Sequence, residues 1–299
     1  MKRRADVSAY QKPISLAETR AAYSANPHAR LLAGGTDLLL ALRAESPPAS
    51  LGGGAELISL KDLEELSRLR QNDDGTLFLG AMTRLAAIEK APQALNAYPA
   101  LVQAAASIGT PSIRVTATVG GNICNASPSA DMAPALLIYD AAVVIDRAGE
   151  THIVALESFF EGPGKTVLAH GDIVLGFLLP HPVSGTRSAF MRHARVRSVD
   201  IATVNAAMAI RLEAGVCSKA RVAFGAVAPR PLRLAQAEKA LEGWTPGADT
   251  SRLEEAVTAS ITPIDDVRAG ATYRLEVARV LTRRLLRHIT DDPPGRGGE

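Results

Sequence analysis

Two Gly-Gly pairs stand where this chain could do chemistry: Ala33-Gly34-Gly35-Thr36-Asp37 and Thr118-Val119-Gly120-Gly121-Asn122. Each follows an apolar, strand-like run. A Gly-Gly pair can take positive φ at little cost and leaves no Cβ in the way of a ligand. Successive N–H groups in such a turn can converge into an anion nest. The hydroxyls of Thr36 and Thr118 and the Asn122 amide add hydrogen-bonding groups. Two such turns facing each other could hold a pyrophosphate, while either one alone reads equally well as a tight turn. Neither shows the G-x-G-x-x-G spacing and following acidic residue of the classical NAD fold.

After the second pair comes Ile123-Cys124-Asn125-Ala126-Ser127-Pro128-Ser129-Ala130-Asp131, a polar loop with few bulky side chains. Such a loop packs closely against a flat ligand. Asp131 could accept hydrogen bonds from a ribityl chain or a ring N–H, or equally cap the helix that follows.

Other groups carry less. Gly162-Pro163-Gly164-Lys165-Thr166 ends like a phosphate loop, but Phe159 stands where the motif needs its first glycine. Cys124 has no second cysteine near it and reads as a small buried filler; Cys217 reads as incidental. The histidines His28, His152, His170, His181, His193 and His288 show no metal-ligand spacing. Arg192, Arg195 and Arg197, with Arg274, Arg279, Arg283, Arg284 and Arg287 on the last helix, read as a solvated face or as a docking surface.

The elements that must position these groups follow from the pattern. Pro13 to Ala25 reads as a helix with Ser15 as N-cap and Glu18 at capping-box spacing. Strands are expected over 29–33, 56–60, 77–81 and 172–179, with a hairpin of 142–146 and 150–155 around Arg147-Ala148-Gly149. Helices are expected over 38–43, from a Thr83 cap to Lys90, and over 100–108, with a helix or buried apolar segment at 133–139. The stretch 46–54 reads as a loop, and 63–70 as a turn or short helix. Beyond Pro180 to Gly185 the pattern changes to three antiparallel strands (188–192, 202–213, 220–226), then helices over 231–242, 251–261 and 272–289. On the last, Leu275, Ala278, Leu281, Leu285 and Ile289 share one face.

Bulk properties narrow the function. A length of 299 residues favours two units over one. A formal net charge of +2 with 4% aromatic residues does not describe a nucleic-acid binder. Two cysteines cannot hold an iron–sulfur cluster, which normally takes four thiolates, nor build a disulfide framework, so a cytoplasmic location is expected. The basic start, Met1 to Asp6, is not followed by an apolar stretch of signal length. No apolar run approaches the roughly 20 residues of a membrane span.

AGGTDLLL (Ala33 to Leu40) and TVGGNICNASPSAD (Thr118 to Asp131) resemble the two flavin loops of the FAD-binding (medium) subunits of molybdenum hydroxylases of the xanthine dehydrogenase and carbon monoxide dehydrogenase types. The likeness continues through GPGKTVL (Gly162 to Leu168) and RHARVRSVDIATV (Arg192 to Val204) to the Arg-rich last helix, in order and over nearly the whole chain.

The resemblance implies an α+β fold: a two-lobed FAD-binding domain of the p-cresol methylhydroxylase type over 1–182 (lobes about 1–54 and 55–182), a small antiparallel sheet with a helical bundle over 186–290, and a disordered tail over 291–299. It implies that Leu32, Ala33, Gly34, Gly35, Thr36, Asp37 and Leu38, with Thr118, Val119, Gly120, Gly121 and Asn122, contact the FAD pyrophosphate through backbone N–H groups. It places Ser127 in the cofactor-binding set, Asp131 on the ribityl or adenosine side, Ile108 as an apolar neighbour of the flavin, and Val174 and Arg192 beside the ring. Lysine is common at the last position; arginine keeps the charge but not the geometry.

The function so implied is electron transfer. Electrons from a molybdenum cofactor in a large subunit would pass through 2Fe–2S clusters in a small subunit to FAD on this chain, then to an external acceptor. A dimer of heterotrimers would be the assembly, and this chain would need no catalytic residue or metal of its own. The Cys-rich loop that carries a further cluster in some relatives is absent. Two alternatives use the same fold: a stand-alone flavin reductase, for which no proton donor stands out, and a flavin-free interaction subunit, against which the intact glycine loops argue.

Overall fold

The computed structural model describes residues 7–44, 55–91, 96–196 and 199–291. The expected 46–54 loop and the tail beyond Asp291 lie outside them, as does Arg197.

Strand β1 (Val7–Gln11) leads into helix α1 (Leu16–Ala25), strand β2 (Arg30–Leu32), helix α2 (Leu38–Leu42) and strand β3 (Ala55–Ser59). The three strands form a parallel sheet in the order β1-β3-β2. Ser15 caps α1 as predicted, while Glu18 reaches past the N-cap to the residue before it. The Ser15 hydroxyl accepts from the Glu18 N–H at 3.2 Å, and the Glu18 carboxylate accepts from the Ile14 N–H at 3.0 Å.

A second, antiparallel sheet has the order β4-β5-β10-β6-β7: β4 (Leu69–Gln71), β5 (Leu77–Gly80), β10 (Ile173–Leu179), β6 (Ala142–Arg147) and β7 (Glu150–Ala155). The expected hairpin joins β6 and β7, turning on Ala148 and Gly149 at positive φ. Helices α3 (Leu85–Lys90), α4 (Pro99–Ser107) and α7 (Met132–Leu137) share with this sheet a core that includes Leu79, Ile88, Leu101, Leu136 and Phe177. Two short helices, α5 (Pro111–Arg114) and α6 (Val119–Cys124), run between α4 and α7. Strands β8 (Phe160–Gly162) and β9 (Lys165–Thr166) make a small hairpin.

The third sheet is antiparallel, in the order β11-β12-β13-β14: β11 (Thr186–His193), β12 (Val204–Glu213), β13 (Val216–Gly225) and β14 (Leu232–Arg233). Both faces of β12 are covered. Ala207 and Ala209 join the core of the second sheet, while Ala206, Met208 and Ile210 pack among helices α8 (Ala235–Leu241), α9 (Ser251–Ala259) and α10 (Ala271–Asp291). That is why β12 reads as an unbroken apolar run rather than an alternating one. The whole is α+β.

Three expectations need correcting. Arg84, not Thr83, occupies the N-cap of α3, and the buried Thr83 hydroxyl has no hydrogen-bond partner among the described residues. Asp291, expected to open the tail, is the last residue of α10. The second Gly-Gly pair is the first turn of helix α6, not a turn between elements.

Candidate functional site

The first glycine turn leaves the end of β2, where the Leu32 carbonyl accepts from the Leu60 N–H at 3.0 Å. Gly35 sits at φ +76°, a conformation costly for any residue with a Cβ. Gly34 is required for a different reason. A Cβ there would lie 2.3 Å from the Thr116 carbonyl oxygen and 3.0 Å from Ala117 Cα. The turn is therefore pressed against the segment that leads into the second pair. The N–H groups of Gly34, Gly35, Thr36, Asp37 and Leu38 have no acceptor among the described residues. They run directly into the N-terminus of α2, where unpaired N–H groups favour anions. Asp37 stands at the N-cap but makes no side-chain cap; Thr36 donates to its carboxylate at 3.3 Å.

The second pair is built differently. Thr118 caps α6, its hydroxyl accepting from the Gly121 N–H at 3.1 Å and its carbonyl from the Asn122 N–H at 3.0 Å. The Val119 N–H donates to the Thr83 carbonyl at 3.1 Å, and the Gly120 N–H to the Ala81 carbonyl at 2.8 Å. A Cβ on Gly120 would stand 2.6 Å from that Ala81 oxygen. All four N–H groups from Val119 to Asn122 are thus consumed inside the protein. The expectation that they form an anion nest does not hold, because α6 and the Ala81–Thr83 segment use them first. What remains free at this turn is the Thr118 N–H and the Asn122 side-chain oxygen, which is buried without a partner. The two turns touch: Ala33 Cβ lies 3.8 Å from where a Gly121 Cβ would be.

The polar loop after α6 is held from outside. The Ala126 carbonyl accepts from the Gly164 N–H at 3.0 Å, so the Gly162–Thr166 hairpin braces this loop. The Pro128 carbonyl accepts from the Ala226 N–H at 2.7 Å, and Asn205 Nδ2 donates to the Ser129 carbonyl at 3.3 Å. The Ser127 hydroxyl accepts from the Ser129 N–H at 3.2 Å.

Asp131 is 8% exposed, and its carboxylate accepts from Asn205 Nδ2 at 2.6 Å and from Arg192 Nη1 at 3.4 Å. Burial pushes its pKa above the ordinary carboxylate value, opposed by Arg192 and Asn205. Asp131 stands at the N-cap of α7 but makes no side-chain cap there.

Arg192 ties several of the predicted residues together. Its Nη1 also donates to the Ser107 carbonyl at 2.7 Å, beside Ile108, and its Nη2 to the Asp200 carbonyl. Ile108 ends α4, half-buried against the main core. Val174 is buried at a bulge in β10, and the next residue, Leu175, accepts from the Ala81 N–H at 3.0 Å. Val174 is thereby linked through Ala81 to Gly120. Leu32 and Leu38 pack in the small core under the first turn.

Sequence reasoning missed Asn205, Ala226, Arg268 and Ala81, and named Thr83 only as a helix cap and Arg274 only as part of a basic face. Two signals existed. Asn205 is a polar residue inside an apolar strand. Arg274 falls on the stripe of α10 that buries Val277, Ala278, Leu281, Leu285 and Ile289. Arg274 is 1% exposed, so the solvated-face reading of the last helix fails for it. Cys124 fits the filler reading, with burial pushing its thiol up to about 12. Among the described residues no acidic, His or Cys group could hold a metal ion, and no helix is long and apolar enough to cross a membrane.

Two sheets meeting at a pair of glycine turns, one with a row of unclaimed N–H groups, define a protein built to hold a phosphate-bearing cofactor. Comparison with known proteins identifies which. Residues 5–182 match the family described as the FAD binding domain in molybdopterin dehydrogenase, and residues 189–289 match the CO dehydrogenase flavoprotein C-terminal domain. The chain belongs to the FAD-binding subunit family of the molybdenum hydroxylases, and so to the oxidoreductases. It is 33% identical over 283 residues to the xanthine dehydrogenase FAD-binding subunit of Escherichia coli O157:H7, covering 94% of this chain and 95% of that one. It is 30% identical over 283 residues to the carbon monoxide dehydrogenase medium chain of Afipia carboxidovorans, covering 93% and 94%. Among solved structures, carbon monoxide dehydrogenase from Hydrogenophaga pseudoflava superposes with a TM-score of 0.88 at 28% identity, covering 97% of this chain and 98% of that one.

Proposed function

We propose that this chain holds FAD across the two glycine turns and serves as the electron-transfer subunit of a molybdenum hydroxylase complex. Electrons arrive from 2Fe–2S clusters of a small partner subunit, reduced in turn by a molybdenum cofactor in a large one, and leave to an external acceptor. The observation that carries the reading is the run of free N–H groups from Gly34 to Leu38, set against the Thr118 turn.

The residues present fit such a cofactor. The Gly34–Leu38 N–H groups and the N-terminus of α2 would bind the pyrophosphate, with charge-assisted hydrogen bonds to its oxygens. The Thr118 N–H would add a donor, and the Asn122 side-chain oxygen, an acceptor, would meet a hydroxyl or N–H of the cofactor rather than its phosphates. Ser127 and Asp131 would meet the ribityl or adenosine side, and Ile108, Val174 and Arg192 the ring. When bound, the flavin supplies the exchange between one-electron and two-electron carriers. The protein supplies position, exclusion of water and the local field. No side chain is required as a catalytic acid or base.

We further assign 1–182 to the cofactor domain and 186–290 to a second domain; the lobe boundary expected at 54/55 must move beyond Ser59, because Ala55–Ser59 is the central strand of the first sheet and belongs to the first lobe. The expected assembly is a cytoplasmic dimer of heterotrimers.

Reconstitution of the purified chain with FAD, followed by gel filtration, tests the reading. Protein that retains flavin absorption at one equivalent supports it, and protein that emerges colourless refutes it. Co-purification with molybdenum- and cluster-bearing subunits tests the complex; isolation as a free, self-sufficient reductase would contradict it.

A further inference from the structure

Arg274 is among the largest fully buried side chains of the described residues, 1% exposed, on the apolar stripe of α10. Its Nη1 donates to two main-chain carbonyls, Thr203 at 2.6 Å and Ala226 at 3.0 Å, and its Nη2 donates to Asp266 at 2.7 Å. Asp266 is gripped a second time by Arg268, whose Nη2 lies 2.6 Å away. A buried ion pair is a weak source of stability, since well-packed apolar side chains of similar volume do as well or better. The use of this one lies in what its fork fixes.

The two carbonyls lie at the ends of β12 and β13, where the third sheet meets the polar loop. Thr203 is two residues before Asn205, which donates to the Ser129 carbonyl and to Asp131. Ala226, held at φ 62°, donates its own N–H to the Pro128 carbonyl at 2.7 Å. Arg268, the other arm on Asp266, donates to the Ser129 hydroxyl at 3.4 Å. Four hydrogen bonds from three residues, Asn205, Ala226 and Arg268, thus converge on the four residues Pro128 to Asp131, and all three residues trace back to Asp266 and Arg274. Within itself the loop has two short-range bonds, both to Ser127: the Ser129 N–H to its hydroxyl at 3.2 Å and the Ala130 N–H to its carbonyl at 3.0 Å.

We propose that the Asp266–Arg274 pair, with Arg268, is a positioning device: it sets the conformation of the Pro128–Asp131 loop from the far side of the third sheet, and through it the affinity for FAD. The proposal rests on the assignment of that loop to the cofactor site. It gives the second unit of the chain a role in cofactor binding through residues that do not touch the cofactor. Arginine is specified because one planar fork must meet two carbonyls and a carboxylate, a pattern lysine cannot reproduce.

The test is FAD titration of the full-length apoprotein, followed by flavin fluorescence, with thermal unfolding measured alongside. Loss of an outer-shell support commonly weakens binding roughly 10–100-fold. Arg274→Met and Arg274→Lys are each expected to raise the FAD Kd by about tenfold or more and to alter the visible circular dichroism of bound flavin. Leu253→Ala, in the helical core away from the loop, is the control for lost stability. It is expected to lower Tm while leaving Kd within about twofold. Arg268→Ala, at a partly exposed site, decides the matter should neither Arg274 variant fold, with an expected rise in Kd of about threefold or more. Equal shifts in Kd for Leu253→Ala and the arginine variants, or unchanged Kd in all of them, would overturn the proposal. Wild-type protein that binds no FAD would instead overturn the cofactor assignment on which it rests.

Discussion

The two Gly-Gly pairs look alike in the sequence and do opposite work in the structure. At Gly34-Gly35 the backbone turns outward from a parallel sheet, and five consecutive N–H groups from Gly34 to Leu38 are left unclaimed. At Gly120-Gly121 the backbone is already helical, and the N–H groups from Val119 to Asn122 are all spent on Thr83, Ala81 and Thr118. Among the described residues, the first pair leaves its donors available. The second is a packing joint that brings a helix end against a neighbouring strand and offers the first pair something to face. Glycine is required at both for the chain itself, since a Cβ on Gly34 or Gly120 would meet a backbone carbonyl and Gly35 holds a positive φ; the pairs differ in whether their N–H groups are spent.

That contrast can be broken by substitution. Gly34→Val places a side chain 2.3 Å from the Thr116 carbonyl and must push the first turn off the second. Overpacking of this kind costs about 1–3 kcal/mol. Because the strain falls on the turn that presents the N–H groups, FAD affinity should drop by up to about 100-fold. Titration of the variant measures it, and wild-type affinity would mean that the first turn is not where the pyrophosphate binds.

Gly120→Ala should act on folding instead. Its Cβ would sit 2.6 Å from the Ala81 carbonyl, so the apoprotein should lose about 1–3 kcal/mol in urea unfolding. If the loss of FAD affinity in this variant exceeded that in Gly34→Val, the division of labour would be reversed. Thr118→Ala removes the cap of α6 and should cost about 1 kcal/mol, again read in the apoprotein.

The smallest effect is one of pH. Burial opposes ionisation of Asp266, but the hydrogen bonds from Arg268 and from the Arg268 and Ala269 N–H groups outweigh it and hold the carboxyl well below its usual range. A carboxylate depressed in the folded state contributes stability above its unfolded pKa of about 3.9, and that contribution is lost as pH falls through the folded value. The stability gap between wild type and Asp266→Asn should therefore be widest near neutral pH and narrow below about pH 4. Urea unfolding of both proteins across that range checks the sign; a gap that widens on acidification would contradict it.

Much of this architecture could be read from local pattern. The Ser15–Glu18 cap, the Ala148-Gly149 hairpin and the apolar run of β12 are all legible within a few neighbouring residues. The second glycine pair misled because its partners are not local. Ala81 and Thr83 lie more than 30 residues earlier in the chain, and only the folded sheet brings their carbonyls to Val119 and Gly120. Thr83 reads as a cap for the same reason: the pattern shows its place before a helix but not the start of α6, Val119, whose N–H donates to its carbonyl. The arginines of the last helix divide in a comparable way. Arg279 and Arg283 meet Glu276 and Glu254 at the surface, as a solvated face should. Arg274, on the same helix, turns inward to carbonyls contributed by two strands of the third sheet. Asn205 and Asp131 are 74 residues apart, so nothing in either segment alone announces their bond.

The most direct test of the account is amide hydrogen exchange at single-residue resolution, without and with FAD. Exchange reports which N–H groups are already bonded before a ligand arrives. The account predicts rapid exchange from Gly34 to Leu38 in the apoprotein, slowed sharply when FAD binds, and slow exchange from Val119 to Asn122 in both states. Fast exchange at Val119 to Asn122 in the apoprotein, or no protection at Gly34 to Leu38 when FAD is bound, would contradict it.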